Sequence, residues 1–340
     1  MEIAQKETNT KTPLVEINNL NVEFHSSKGI VKAVEDVSFT LHSSETLAIL
    51  GESGSGKSTA ALALMGLLPK PAGRIVNGEI KLEGIDITNM KESERRKLYG
   101  SKLSIIFQDP LSALNPVYTI GYQIGETLRR HQGLSKKQAN EKAVELIEQV
   151  RIPDARNRLK DYPHQFSGGM QQRVMIAMAL ALNPKVLIAD EPTTALDVTV
   201  QAQIMHLLKE LQKTNKMGLI LISHDLGVVA ENADRVAVMY AGHIVETGKV
   251  REVFQNPLHP YTLGLMNSIP KITKNDKRLT PIQGAPPDLK SLPKGCAFHP
   301  RCPFAQDICK SKAPMLKEVE PGRKSACHFS KEDLTEWNNK

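Results

Sequence analysis

The stretch Ile49-Leu-Gly-Glu-Ser-Gly-Ser-Gly-Lys-Ser-Thr59 constrains this chain more than any other. It spells G-x-x-x-x-G-K-[ST] from Gly51 to Ser58. Glycines at Gly51, Gly54 and Gly56 let backbone wrap an anion with no Cβ in the way. Successive N–H groups of the loop then point inward at phosphate oxygens. Lys57 supplies a positive charge at the β and γ phosphates, and the Ser58 hydroxyl suits Mg²⁺, which takes few protein ligands. The flanks agree: Glu45 to Leu50 reads as a buried strand, and Thr59 to Leu68 as a helix whose N-terminal dipole favours an anion.

Length and composition set the outer bounds. The 340 residues allow about two domains and a sizeable core. The longest apolar run, Val174 to Leu182, is far too short to cross a bilayer. The polar, mixed-charge opening Met1 to Thr10 is no signal peptide, and the first twelve residues or so are expected to be disordered. A cytoplasmic protein is expected, with any membrane association going through a partner. The net charge is +7, but the basic residues are scattered and no nucleic-acid motif accompanies them, so no nucleic-acid partner is expected.

Along the chain, Leu14 to Phe24 and Val31 to Leu41 alternate and predict a hairpin before the strand of the glycine loop. Asn77-Gly78 carries a hairpin-turn signal. Leu103 to Phe107 reads as a buried strand ending at Gln108. From Thr119 to Val150 the period turns helical, with Ser135 and Gln138 spaced as a capping box. Strands are predicted at Lys185 to Ala189 and Leu219 to Ile222, helices at Val198 to Leu211 and Leu226 to Ala230, and a hairpin around Ala241-Gly242. From about residue 270 the chain is rich in Pro and Lys and reads as a separate appendage.

Two further signals carry chemistry. Val186 to Asp190 is a hydrophobic strand ending in Asp190 and Glu191, and strand ends of a parallel sheet face the ligand crevice. Asp190 suits Mg²⁺ through its water shell, and Glu191 suits orienting or deprotonating an attacking water. Phe166-Ser-Gly-Gly-Met-Gln-Gln-Arg173 opens a helix with Ser167 as its N-cap, which is either an ordinary capped helix or a second anion site.

The order Gly-Lys-Ser, Gln108, Ser-Gly-Gly, Asp-Glu, Ala195-Leu196-Asp197, His224 resembles the ATP-binding subunits of ABC transporters over residues 13 to 268. The resemblance implies an α/β fold: a P-loop ABC ATPase core with a mixed sheet and an antiparallel β-subdomain. It also implies a helical subdomain inserted at about 110–183, and a small cysteine-containing extension over 269–340. By the same resemblance, ATP is held by Gly51, Ser53, Gly54, Ser55, Gly56, Lys57, Ser58, Thr59 and Gln108. Ser167, Gly168 and Gly169 reach the ATP of a partner subunit in trans. Ser58, Gln108 and Asp190 serve Mg²⁺, and Glu191, His224 and Lys57 are catalytic. Ala195 to Asp197 is the loop that crosses the dimer interface. Met170 and Phe166 depart from the family's Leu-Ser-Gly-Gly-Gln. The residue that stacks on adenine is left among Phe24, His25, Ile30 and Val31.

Gln108 to Pro116, Tyr162 to Met170, Asn256 to Thr262 and Pro293 to Pro303 are similar to the peptide/nickel importer subfamily, the oligopeptide and dipeptide permease ATPases. That subfamily carries the Met at 170. It implies ATP-driven uptake of di- or oligopeptides, with nickel or oligosaccharide as alternative cargo, at the cytoplasmic face of the membrane. The implied partners are a second ABC ATPase subunit, often a different chain, two transmembrane permease subunits, and indirectly an extracytoplasmic solute-binding protein. A soluble ABC ATPase outside transport is the competing reading, disfavoured by a single ATPase half with a short helical insert. Cys296, Cys302, Cys309 and Cys327 are spaced C-x5-C-x6-C-x17-C, wider than zinc pairs. Four thiolates suit a [4Fe–4S] cluster, to which the subfamily also points; Zn²⁺ is one alternative, and free thiols or disulfides are the other, disulfides being disfavoured by a cytoplasmic location.

Overall fold

A computed structural model describes residues 12–27, 29–194, 196–268, 282–329 and 332–333. The expected disorder of the first residues, and Ala195 of the interface loop, lie outside the described residues.

An eight-stranded sheet carries the core. Its order is Lys317–Glu320, Arg323–Ser325, His243–Lys249, Arg235–Tyr240, Thr46–Leu50, Gly218–Ser223, Val186–Asp190, Leu103–Ile106. The five strands from Arg235–Tyr240 to Leu103–Ile106 run parallel, and the other three are antiparallel. Thr46–Leu50, Val186–Asp190 and Gly218–Ser223 are buried at every position, as strands covered on both faces must be. Their carboxyl ends converge where the glycine loop, Asp190 and Ser223 lie. Ligands bind at such a crevice.

A second sheet of four strands, in the order Gly29–Leu41, Val15–Ser26, Gly73–Leu82, Ile85–Asp86, is antiparallel throughout. Its apolar face shares one core with the helix Lys57–Met65. The Asn77-Gly78 turn signal is corrected here. Both residues lie inside the strand Gly73–Leu82, at a register shift opposite Asn18 to Asn21. Gly78 has φ 99°, and a Cβ there would stand 2.5 Å from the Asn19 carbonyl oxygen. The pair therefore makes a bulge and reverses no chain.

The helices Ile120–Gln132, Lys136–Gln149 and Gly168–Leu180 pack around Ile124, Leu128, Ala143, Ile147 and Ile176 as a helical layer against the far end of the parallel sheet. The predicted capping box is present: Ser135 Oγ accepts from the Gln138 N–H, and the Gln138 side chain accepts from the Ser135 N–H. Among the described residues no helix is long and apolar enough to cross a membrane.

The tail expected as a separate appendage is instead built into the core. Arg323–Ser325 extends the main sheet by pairing with His243–Lys249. Phe298, 2 % exposed, inserts against the rings of Tyr240 and Tyr261 at centroid distances of 5.2 and 5.5 Å. Arg323 is buried on Glu246 at 2.9 Å. No local pattern announces these contacts, because each joins residues far apart in the chain.

Candidate functional site

The glycine loop leaves the strand Thr46–Leu50 and enters the helix Lys57–Met65, with Gly56 as its N-cap at φ 103°. A Cβ on Gly56 would meet the Ala33 carbonyl oxygen at 2.5 Å, and one on Gly51 would meet that of Met239 at 2.2 Å. Only glycine fits at either position. Lys57 Nζ donates to the carbonyls of Gly51 at 2.8 Å and Glu52 at 2.9 Å, so the ammonium lies across the loop with a third N–H to spare. Burial lowers the Lys57 pKa, opposed by the charges of Glu191, Asp190 and Glu52. Ser55 Oγ is buried in the loop without a hydrogen-bond partner, an unmet donor of the kind a phosphate oxygen satisfies. At the helix's other end Arg95 donates to the carbonyls of Ala63 and Leu64 at 2.9 and 2.6 Å, placing a cation at the negative pole.

Across the crevice Ser58 Oγ donates to Asp190 Oδ1 at 3.1 Å. Burial raises the Asp190 pKa, and the Ser58 hydrogen bond partly offsets it. Glu191 is a hub. Its Oε2 accepts from Gln108 Nε2 at 2.9 Å and from Thr194 Oγ1 at 3.0 Å, and its Oε1 lies 3.1 Å from His224 Nδ1. Its backbone sits at φ 47°, a left-handed conformation costly for Glu, and its N–H is pinned to the Ile222 carbonyl at 2.9 Å. Ser58, Gln108, Glu191, Thr194 and His224 line one open cavity of about 700 Å³ with Ala33, the glycine loop and Leu289, while Asp190 reaches it through its hydrogen bond with Ser58 and does not itself line it. A Ser58 hydroxyl hydrogen-bonded to a carboxylate, with the Gln108 amide close by, is an oxygen-rich donor set that fits Mg²⁺. Thr194 and Leu289 were not singled out in the sequence; neither belongs to a spacing that marks it.

Ser167, Gly168 and Gly169 do not line this cavity. Ser167 caps the helix Gly168–Leu180, its Oγ accepting from the Met170 N–H at 3.4 Å. A Cβ on Gly169 would stand 2.8 Å from Val200 Cγ1, so the close packing of two helices requires glycine there. Of the four residues considered for adenine, Val31 lines a cavity beside the glycine loop. Phe24 instead packs on the core of the antiparallel sheet.

The extension reaches the loop directly. Arg301 Nη1 and Nη2 donate to Glu52 Oε2 and Oε1 at 2.7 and 3.0 Å, and the Glu52 N–H donates to Tyr261 Oη at 2.9 Å. The four cysteines are free and line one small pocket with His299 and His328. Backbone N–H groups of Phe298 and His299 face Cys296, that of Phe304 faces Cys302, and those of His328 and Phe329 face Cys327. Burial pushes the Cys302 thiol up to about 12 and that of Cys327 to about 11. Among the described residues no group of three or more His, Cys, Asp or Glu is drawn together closely enough to hold a metal ion. The donor chemistry fits a soft metal centre, but the thiols surround the pocket without closing on a point.

Comparison with known proteins adds the lineage. Residues 34–194 match the ABC transporter family, and residues 245–309 match the oligopeptide/dipeptide transporter C-terminal region. The chain is 52% identical to the oligopeptide transport ATP-binding protein of Salmonella typhimurium, covering 96% of this chain and 98% of that protein. It is 47% identical to the dipeptide transport ATP-binding protein of Escherichia coli, over 94% and 98%. Among solved structures it resembles a dimeric ATP-binding cassette in a post-hydrolysis state bound to ADP and Pi. The TM-score is 0.63 and the identity 28%, covering 70% of this chain and 99% of that one.

Proposed function

The chain belongs to the ABC transporter family, among its oligopeptide/dipeptide ATP-binding proteins, and we propose from that premise a mechanism in which it hydrolyses ATP to drive peptide uptake. The observation that carries the mechanism is the Glu191 hub at the mouth of the glycine-loop cavity. The loop N–H groups, Ser55 and Lys57 bind the phosphates. Ser58 and Asp190, with Gln108, would hold Mg²⁺, which would supply positive charge against the phosphates. Glu191 orients the attacking water and accepts its proton. His224, hydrogen-bonded to the other carboxylate oxygen, keeps Glu191 aimed and faces the γ-phosphate. Catalysis then consists of positioning and charge stabilisation.

Ser167, Gly168 and Gly169 lie outside the cavity of their own chain, which supports their action in trans on a second ATPase subunit's nucleotide. Leu111, Val117, Tyr118 and Tyr122 are exposed apolar side chains following Gln108. These side chains suit docking of the two permease subunits, so that Gln108 senses them, and support a peripheral position on the cytoplasmic face of the membrane. We divide the chain into an ATPase domain over 13–268 and an extension over 269–340. We assign Cys296, Cys302, Cys309 and Cys327 to a [4Fe–4S] cluster, supported by their shared pocket and the N–H groups aimed at the sulfurs. Iron, sulfide and zinc assays on anaerobically purified protein test this; zinc at one per chain without iron overturns it.

The functional test is ATPase activity of the complex purified from membranes with its own partners. It is run with solute-binding protein loaded with dipeptide, longer peptide or nickel. Stimulation by a peptide class supports the proposal. Activity indifferent to every cargo, with no permease subunits co-purifying, overturns it.

A further inference from the structure

Beside the phosphate cavity lies a second, mostly apolar cavity of about 300 Å³, at the lower end of small-molecule sites. One wall comes from the ATPase core: Val31, Tyr240 and Ala241. The other comes from the extension: Pro286, Pro287, Asp288, Leu289 and Lys290. The floor is the glycine loop from Glu52 to Ser55. Glu52, Ser53, Gly54 and Leu289 line both this cavity and the phosphate cavity, so the two are continuous. The extension's wall is held in register by Arg301, which grips Glu52 with both of its terminal nitrogens and donates from Nε to the Gln283 carbonyl at 3.0 Å.

We propose that this cavity takes the purine base of the bound nucleotide, with Leu289 and Pro287 of the extension forming one face of the base site and Val31 the other. Three features point to that occupant. The cavity opens onto the phosphate cradle across the glycine loop, where the ribose and base of a nucleotide seated there must lie. Val31, Pro286, Pro287 and Leu289 give it an aliphatic surface that suits a heteroaromatic ring, beside the charged Asp288 and Lys290. No aromatic side chain near the start of the second strand takes the position, since Phe24 is committed to the core. The inference rests on the nucleotide-binding reading above.

The test compares ADP with inorganic tripolyphosphate, which has the phosphates but no base, by calorimetric titration of the full chain. Leu289→Asn, which removes the apolar surface without adding charge, is expected to weaken ADP about tenfold, or about 1.4 kcal/mol, and to change tripolyphosphate affinity by less than about twofold. Leu289→Met is expected to keep ADP affinity within about twofold, since it retains apolar volume. Unchanged ADP affinity in Leu289→Asn overturns the proposal. So does a parallel loss of both ligands, or a parallel gain, which would make the segment a cover over the phosphates. Lys57→Ala separates the two levels: it should lose both ligands. Wild-type chain that binds neither ligand, or a Lys57→Ala effect on neither, fails the nucleotide reading itself.

Discussion

Arg301 and Glu52, 249 residues apart, form a two-pronged ion pair at 2.7 and 3.0 Å that ties the cysteine-bearing extension to the glycine loop. The Arg301 side chain is 6% exposed and that of Glu52 27%, so the pair is partly shielded from water. Bidentate geometry and shielding place it above the ordinary surface ion pair. A double-mutant cycle with Arg301→Ala and Glu52→Ala should give a coupling of about 1–2 kcal/mol in unfolding free energy. A coupling near zero would show that packing of Phe298, and not this pair, holds the extension.

Glu191→Gln keeps the shape and the hydrogen bonds from Gln108 and Thr194 but cannot take a proton from water. Turnover should fall by about 10²–10⁴-fold, while titration with ATP shows binding retained. Unchanged turnover would remove Glu191 from the chemistry.

Glu246 is fully buried, and its oxygens accept from the Leu258 and His259 N–H groups at 2.9 and 3.0 Å and from Arg323 at 2.9 Å. Arg323→Ala leaves that carboxylate without its cation and should cost about 3–5 kcal/mol in denaturant unfolding. Arg323→Met with Glu246→Gln should recover part of the loss, because both buried charges are removed while the carboxamide oxygen still accepts from a backbone N–H. Failure of the double variant to recover would assign the loss to Arg323's contacts with backbone.

His259 is completely buried, and desolvation pushes its pKa from 6.5 down to about 3. Its Nδ1 accepts from the Tyr261 N–H at 3.1 Å, so protonation there would break the cap and bury a charge. The unfolded chain binds this proton below pH 6.5 and the folded chain does not. Stability is therefore intact above pH 6.5 and lost as pH falls toward 3, by about 2 kcal/mol at pH 5. His259→Asn keeps a capping side chain without the titration. Its unfolding free energy should drop less between pH 7.5 and pH 5 than that of the wild type. An equal drop would place the acid sensitivity elsewhere.

Much of the core was legible because its signals are local. The strand runs ending at Leu50, Asp190 and Ser223, the Ser135–Gln138 box and the Ala241-Gly242 turn each follow from a few neighbouring residues. The P-loop cluster was legible as motifs, but the hub at Glu191 depends on Thr194 and on three separate strand ends meeting. Asn77-Gly78 misled because a positive φ serves a bulge as well as a turn. The extension was misread for a further reason. Arg301 and Arg323 look like surface charges until their partners Glu52 and Glu246, distant in the chain, are placed beside them.

The Arg301–Glu52 pair also bears on synthesis. A ribosome delivers Glu52 of the glycine loop 249 residues before Arg301, so the motifs that name the site exist long before the wall that completes it. A chain truncated ahead of Phe298 would keep every nucleotide motif and still emerge with an unclosed aromatic hollow at Tyr240 and Tyr261 and an unpaired carboxylate on the loop. Such a chain would lack both the Phe298 ring that fills the hollow and the guanidinium that neutralises Glu52.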